Sequence, residues 1–382
     1  MIPLNSHPRP FAFRRNRRAL RGAAATAAVA AVAFGAVACS DDAAKTDASG
    51  SVTLTNCGEE VTYPATAKKL MINDGNIISL ALAVGAENEI AAVSSVNRDI
   101  PILTAAYGDA IKSKEQVSAE YPNLEEVLAA EPDVFIGGWG YGFGEDKGLT
   151  PESLKEHNIG SYILTESCRQ ADTEGAAQDG SGDPGHKRGV VDPWEAIRID
   201  LRNVAKLTGH EDNADKVISD IDARLKKLDA APKAEKKPVG FVFDSAGDAP
   251  FTSGAFGAPQ GILDKAGATN GTESIKDTWT TTTWEHIAEM QPDFITLVEY
   301  PGQSFEEKIK ALRTNPATKD LPAVKENRFV NLPYAMWTES PLNVDAAEHV
   351  RKALERFGLV PNSEVSTQLD FPKDLPGVEY FQ

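Results

Sequence analysis

Two apolar periods alternate along most of the chain. Short apolar runs read as strands at 69–73, 90–94, 134–136 and 162–164, and three- to four-residue spacing reads as helices at 77–84, 124–130 and 150–157. Gly85 and Pro132 stand where the first two of these helices should stop. From Pro193 to about Leu228 the helical period is sustained by Ile197, Leu201, Val204 and Leu207 and then by Val217, Ile221, Leu225 and Leu228, with Thr208-Gly209-His210 as a candidate break. A second series follows, with strands at 239–243, 294–298 and 329–332 and helices at 258–266, 284–290, 305–313 and 344–357. Alternation of this kind implies mainly parallel sheets covered on both faces. The expected fold class is therefore α/β, two Rossmann-like lobes joined by one long interlobe helix. The lobes are assigned to 52–190 and 232–358 and the helix to 191–231. The Gly- and Asp-rich stretch 173–188 reads as a loop, and the tail 359–382 has no clear period.

The N-terminus has a different character. A basic run from Arg14 to Arg21 precedes seventeen small or apolar residues without a charge, which end at Cys39. That is the layout of a secretory signal, too short and too weakly apolar for a membrane span. Ala36-Val37-Ala38-Cys39 resembles a bacterial lipobox, with Ala36 where Leu is commoner. The expectation is a lipoprotein signal peptide over 1–38, lipid on Cys39, a flexible polar tether over 39–51 and a protein held on the outer face of the cell membrane. A secreted soluble protein is the alternative. With Cys39 lipidated, Cys57 and Cys168 remain as an even pair in an oxidising compartment, expected to be bridged. Two free buried thiols are the alternative there.

Charge narrows the function. The chain has 39 Lys+Arg against 56 Asp+Glu, a formal net charge of −17, and without the first 38 residues the balance falls to −23. Such a surface excludes a reader of nucleic-acid backbones. A monomer is expected.

One segment occurs twice. Residues 123–136 (NLEEVLAAEPDVFI) align with residues 283–296 (TWEHIAEMQPDFIT) at a constant offset of 160. Asn123 and Thr283 are good N-caps, Glu125 and Glu285 sit in the first turn, and Pro132 and Pro292 precede an apolar strand.

This repeat, set on two α/β lobes joined by a helical run, resembles the substrate-binding proteins of ABC importers for ferric siderophores, haem and vitamin B12, over about residues 52–357. The likeness is strongest at Asn123-Leu124-Glu125, at Pro250-Phe251-Thr252-Ser253-Gly254, and at Trp279 six residues before Glu285. The resemblance implies that Glu125 and Glu285 dock on arginines of the permease subunits, that a ligand sits between the lobes, and that the protein is not an enzyme and needs no resident cofactor. It departs from the family pattern in the 173–188 loop and the tail.

In open parallel sheets, ligands lie beyond the C-terminal strand ends. Those positions hold Asn73, Asp74, Asn97, Arg98, Trp139, Tyr141 and Phe143 in the first lobe. In the second they hold the stretch from Asp244 to Phe251, then Trp279, Tyr334 and Trp337. The aromatic density suits a large, mostly apolar chelate, with a ferric siderophore ranked first and cobalamin or haem next. Trp194 and Trp284 are expected to pack internally. Only Tyr141, Tyr334 and Met336 are placed to offer a haem an axial ligand. Arg98 is the only obvious cation among these loops, so a strongly anionic tricatecholate fits poorly. The six histidines show no zinc-binding spacing, so no metal site is expected. Gly140-Tyr141-Gly142-Phe143-Gly144 lacks the third glycine of a dinucleotide fingerprint and the Lys-Ser/Thr of a phosphate loop. A cell-wall hydrolase using Asp74 and Asp244, or a scaffold that has lost its ligand, are the readings of other classes.

Overall fold

The computed structural model describes residues 50–171, 183, 185–299, 302–373 and 375. The expected signal peptide, Cys39 and most of the expected tether and of the 173–188 stretch lie outside the described residues.

Each lobe is built on one parallel sheet. In the first, Glu115–Ser118, Ile90–Ser94, Leu70–Asn73, Val134–Trp139 and Gly160–Ile163 lie side by side in that order, all parallel. In the second the order is Thr269–Asn270, Val239–Phe243, Phe294–Glu299, Phe329–Pro333, again parallel. The central strands are buried on both faces, as unbroken runs such as Leu70-Met71-Ile72 require. Glu115–Ser118 was missed because Glu115 and Gln116 are exposed and polar, as an edge strand allows. An antiparallel hairpin, Val52–Asn56 with Glu59–Tyr63, closes the first lobe's far edge. The Asn56 amide exchanges two hydrogen bonds with the Ile163 backbone, 2.7 and 2.8 Å. At its turn Cys57 is bonded to Cys168, with the Cα atoms 5.2 Å apart.

The long helical run is two helices. Asp192 caps the first, Pro193–Thr208, by accepting from the Trp194 N–H at 2.9 Å, and Gly209 ends it in the left-handed conformation (φ 82°). The second, Glu211–Ala230, folds back along the first, so that Arg198 reaches Asp222 across the pair at 2.5 Å. The candidate break at Thr208-Gly209-His210 is thus a full reversal. Only Pro193–Thr208 follows directly from the first lobe, and the expected single helix over 191–231 is corrected to a helical hairpin.

The repeat is faithful in three dimensions. Leu124–Ala130 and Trp284–Met290 are both seven-residue helices, capped by Asn123 and Thr283 and ended by a left-handed residue, Glu131 (φ 47°) and Gln291 (φ 50°). Asp133 and Asp293 then each accept from the backbone N–H that starts a neighbouring strand, Lys69 at 2.9 Å and Val239 at 2.8 Å. Glu125 and Glu285 are exposed at equivalent positions.

The described part of the aperiodic tail is packed. Val360, Val365, Leu369 and Leu375 are buried, and Phe371 stacks on His349 with ring centroids 4.0 Å apart.

Candidate functional site

A cavity of about 560 Å³ opens where C-terminal strand ends of the two sheets approach each other. Tyr121, Tyr141 and Arg188 form its first-lobe side, and Asp244–Gly247, Ala249, Phe251, Trp279, Gln303, Lys308 and Tyr334 form the other. Phe251 and Trp279 stack across the short antiparallel pair Phe251–Ser253 and Trp279–Thr281, centroids 6.3 Å apart and planes 17° from parallel. Their register places the two side chains on the same face.

The site residues expected from sequence divide into three groups. Tyr141, Phe251, Trp279 and Tyr334 line the cavity. Asp74 and Arg98 stand behind Tyr334: the Arg98 guanidinium lies 4.1 Å from the centre of the Tyr334 ring, 2.6 Å from Asp74 and 3.5 Å from Asp99. Asp74 holds an unfavourable backbone conformation (φ 63°) to make that pair, and the Asp99 carboxylate packs so close to Gly75 that a side chain there would overlap it. Burial pushes the Asp99 carboxyl up to about 6 although Arg98 opposes it.

The third group lies away from the cavity wall. Trp337 is completely buried and donates its indole N–H to the Leu297 carbonyl at 3.0 Å. Phe143 packs edge-on against Phe135 in the first lobe's core, 5.1 Å between centroids. Trp139 joins that core, its outer face covered by the Arg169 guanidinium at 3.5 Å. Asn73 is buried and accepts from Ser94, and Asn97 is exposed outside the lining. The reason is a turn that the glycine pattern hides. After Trp139 the chain reverses through Gly140 (φ 82°) and lays the Tyr141 ring across Gly138, where a Cβ would come within 2.3 Å of it. The turn presents Tyr141 to the cavity and turns its neighbours inward. Trp194 and Trp284 pack internally, as expected.

Sequence reading missed Arg188, Lys308 and Tyr121. Arg188 ends the loop that was set aside. Its guanidinium donates to the Trp139 carbonyl at 2.7 Å and to the Trp279 carbonyl at 3.0 Å, tying the lobes together behind the cavity. Lys308 did carry a signal: it shares the apolar face of Phe305–Thr314 with Phe305, Ile309 and Leu312, where a lysine is out of place.

Beneath the cavity the lobes are joined by carboxylates. Glu166 and Glu339 each accept the other's backbone N–H at 2.6 Å, and Glu166 also accepts the Trp279 indole N–H at 2.9 Å. Asp200, from the connecting helix, accepts from the Tyr162 hydroxyl (2.6 Å) and the Thr165 N–H (2.8 Å). Burial pushes Glu166 up to about 7, and burial with the Asp200 charge pushes Glu339 well above the ordinary carboxyl range. Among the described residues no cluster of His, Cys, Asp and Glu could hold a metal ion.

The periplasmic binding protein family model matches residues 74–335, and the chain belongs to that family. No curated protein matches the sequence. The fold is similar to that of a periplasmic binding protein from Veillonella parvula (20% identity, 82% of this chain and 99% of that one, TM-score 0.63). It is also similar to an ABC-type Fe3+-hydroxamate transport system from Saccharomonospora viridis (18%, 79% and 98%, TM-score 0.66). A periplasmic heme binding protein from Pseudomonas aeruginosa is a third (17%, 79% and 96%, TM-score 0.57).

Proposed function

We propose that the chain is the extracytoplasmic, lipid-anchored binding component of an ABC importer, and that it captures a ferric siderophore between its lobes and hands it to the permease. The observation that carries this reading is the aromatic cavity of about 560 Å³, which has the size and chemistry of a site for a bulky, largely apolar chelate. Glu125 and Glu285, exposed on duplicated helices, are the proposed handles for the permease, and Cys39 the lipid attachment. We take the Cys57–Cys168 bond to be formed in the exported protein.

Cobalamin is the second ligand in rank. Haem is third: Met336 is buried, the Tyr141 hydroxyl is buried, and the Tyr334 hydroxyl lies 3.3 Å from Asp74. Catalysis is disfavoured because Asp74, one of the two carboxylates a hydrolase would need, has no exposed surface and is held by Arg98. No resident cofactor is proposed.

The test is a fluorescence titration with ferric hydroxamates, cobalamin, haem, free iron and zinc. Saturable one-to-one quenching by a chelate is expected. Saturation by zinc alone, or by none of the panel, refutes the reading.

A further inference from the structure

Trp279 lines the cavity, yet its own lobe gives it little support. Its strand, Trp279–Thr281, is three residues long and pairs only with Phe251–Ser253. The indole N–H reaches instead into the other lobe, to Glu166 in the one-turn helix Thr165–Ser167 that follows Gly160–Ile163. Around Glu166 stand Glu339 from the second lobe, Asp200 from the connecting helix, Tyr141 and Arg188. Burial holds the Tyr141 hydroxyl neutral, and the Arg188 guanidinium is engaged by the Trp139 and Trp279 carbonyls. Glu339 Oε1 is buried and meets no donor, and its neighbour is the Asp200 carboxyl. Two carboxyl oxygens bond only through a proton. The joint between the lobes is thus assembled around a proton, and it is the same joint that carries Trp279.

We propose that Glu166 is a positioning residue for the ligand: the lobes part at this joint when the cleft is empty, and capture re-forms it, setting Trp279 against the ligand with uptake of a proton from solvent. The inference rests on the chelate-binding reading of the same cleft and adds how the grip is regulated. Parting the lobes returns Glu166 to water and to an ordinary 4.5, whereas in the joint it is pushed up to about 7. Between those values closing takes up a proton, so the grip weakens as pH rises; above about 7 both forms are ionised and the dependence ends. Arg188 crosses the same boundary but has no proton to exchange. Asp99 does: it accepts the Ala335 N–H from the second lobe at 3.0 Å, is pushed up to about 6, and adds to the same uptake. The share of Glu166 is therefore read as a difference.

The probe is an N-acetylated linear ferric trihydroxamate, which has no group of its own titrating between pH 5 and 8. It is titrated into wild type and Glu166→Gln by calorimetry, in buffers of different ionisation enthalpy, which counts the protons taken up. Glutamine keeps an acceptor for the indole and cannot exchange the proton. For each pH unit between 5 and 7 the wild-type affinity should fall about tenfold more than that of the variant, and at pH 6 the variant should take up about one proton fewer. Parallel affinity profiles, or equal proton uptake, overturn the inference while leaving chelate binding intact. Binding to neither protein sinks the hydroxamate reading instead, and the inference is then decided without ligand. Trp279 emission, taken as the difference between wild type and Trp279→Phe, should move to longer wavelength from pH 5 to 8, and the same difference in the Glu166→Gln background should not. Emission that stays put in wild type, or moves alike in both backgrounds, overturns it.

Discussion

The carboxylate joint beneath the cleft makes stability depend on pH in an unusual direction. Glu166 moves from an ordinary 4.5 to about 7 when the protein folds, because burial disfavours its charge more than the Glu339 N–H, the Trp279 indole and the nearby Arg188 favour it. Below pH 4.5 the carboxyl is protonated in both folded and unfolded chains and nothing is lost. Between 4.5 and 7 the unfolded chain has released the proton and the folded one has not, so stability falls as pH rises. Above 7 the loss is complete, at about 3 kcal/mol for this group. Asp99, pushed up to about 6, acts in the same direction. His349 opposes both: half-buried against the Leu369 carbonyl and Phe371, it is pushed down to about 4 by desolvation, so it destabilises the folded state in acid. The Glu166 contribution is therefore read as a difference. Urea unfolding followed by circular dichroism, at pH 5 and pH 8, should show Glu166→Gln losing about 2 to 3 kcal/mol less than wild type over that interval. A constant offset of about 1 kcal/mol is expected from the acceptor that the amide cannot supply to one of two N–H donors. Parallel pH profiles for wild type and variant would refute the assignment of the proton to this joint.

Trp279→Phe should remove most of the ligand-induced quenching, whereas Trp139→Phe should leave it, since only Trp279 lines the cavity; the titration above measures both. Glu125→Ala with Glu285→Ala should change stability by no more than about 0.5 kcal/mol each and leave ligand affinity unaltered, yet stop uptake in whole cells. Uptake at the wild-type rate would end the docking role. The Cys57–Cys168 bond spans a sequence separation of 111 residues, for which chain entropy predicts about 5 kcal/mol. Non-reducing peptide mapping of exported protein should recover the cross-linked pair, and a Cys57→Ser, Cys168→Ser protein that unfolds at the same urea concentration would contradict that figure.

How much of this could be read from the chain depended on whether a side chain's surroundings were local. The repeat was legible because its helix caps, its left-handed stops and its Pro-Asp strand starts lie within fourteen residues, and both copies fold alike. The cleft was legible only in outline. Strand ends pointed to the right loops, but Trp139, Phe143 and Trp337 turn inward for reasons set by distant partners: Arg169 over Trp139, Phe135 against Phe143, the Leu297 carbonyl for Trp337. Composition marks a tryptophan as a good ligand surface and equally as good core. Arg188 was hidden because the loop preceding it has no period, and its partners are carbonyls at positions 139 and 279. The helical connector was read as continuous because amphipathic spacing persists across Gly209, and spacing alone does not report a reversal.

That reversal bears on how the protein reaches its final state. The helix Pro193–Thr208 supplies parts the first lobe lacks: Asp200 for Tyr162 and Thr165, Asn203 for the Thr55 carbonyl, Lys206 for the Thr53 carbonyl, and the Leu207 carbonyl for the Ala67 N–H. A fragment ending at residue 190 would hold every strand of the first sheet and still leave the Tyr162 hydroxyl without its acceptor. The unit that can fold early therefore ends near residue 208. If the chain emerges from the translocation channel N-terminus first, the hairpin bearing Cys57 has to stay soluble and unreacted until that helix arrives. The order of emergence then makes the connector the piece that decides when the first lobe, and its pair of cysteines, can settle.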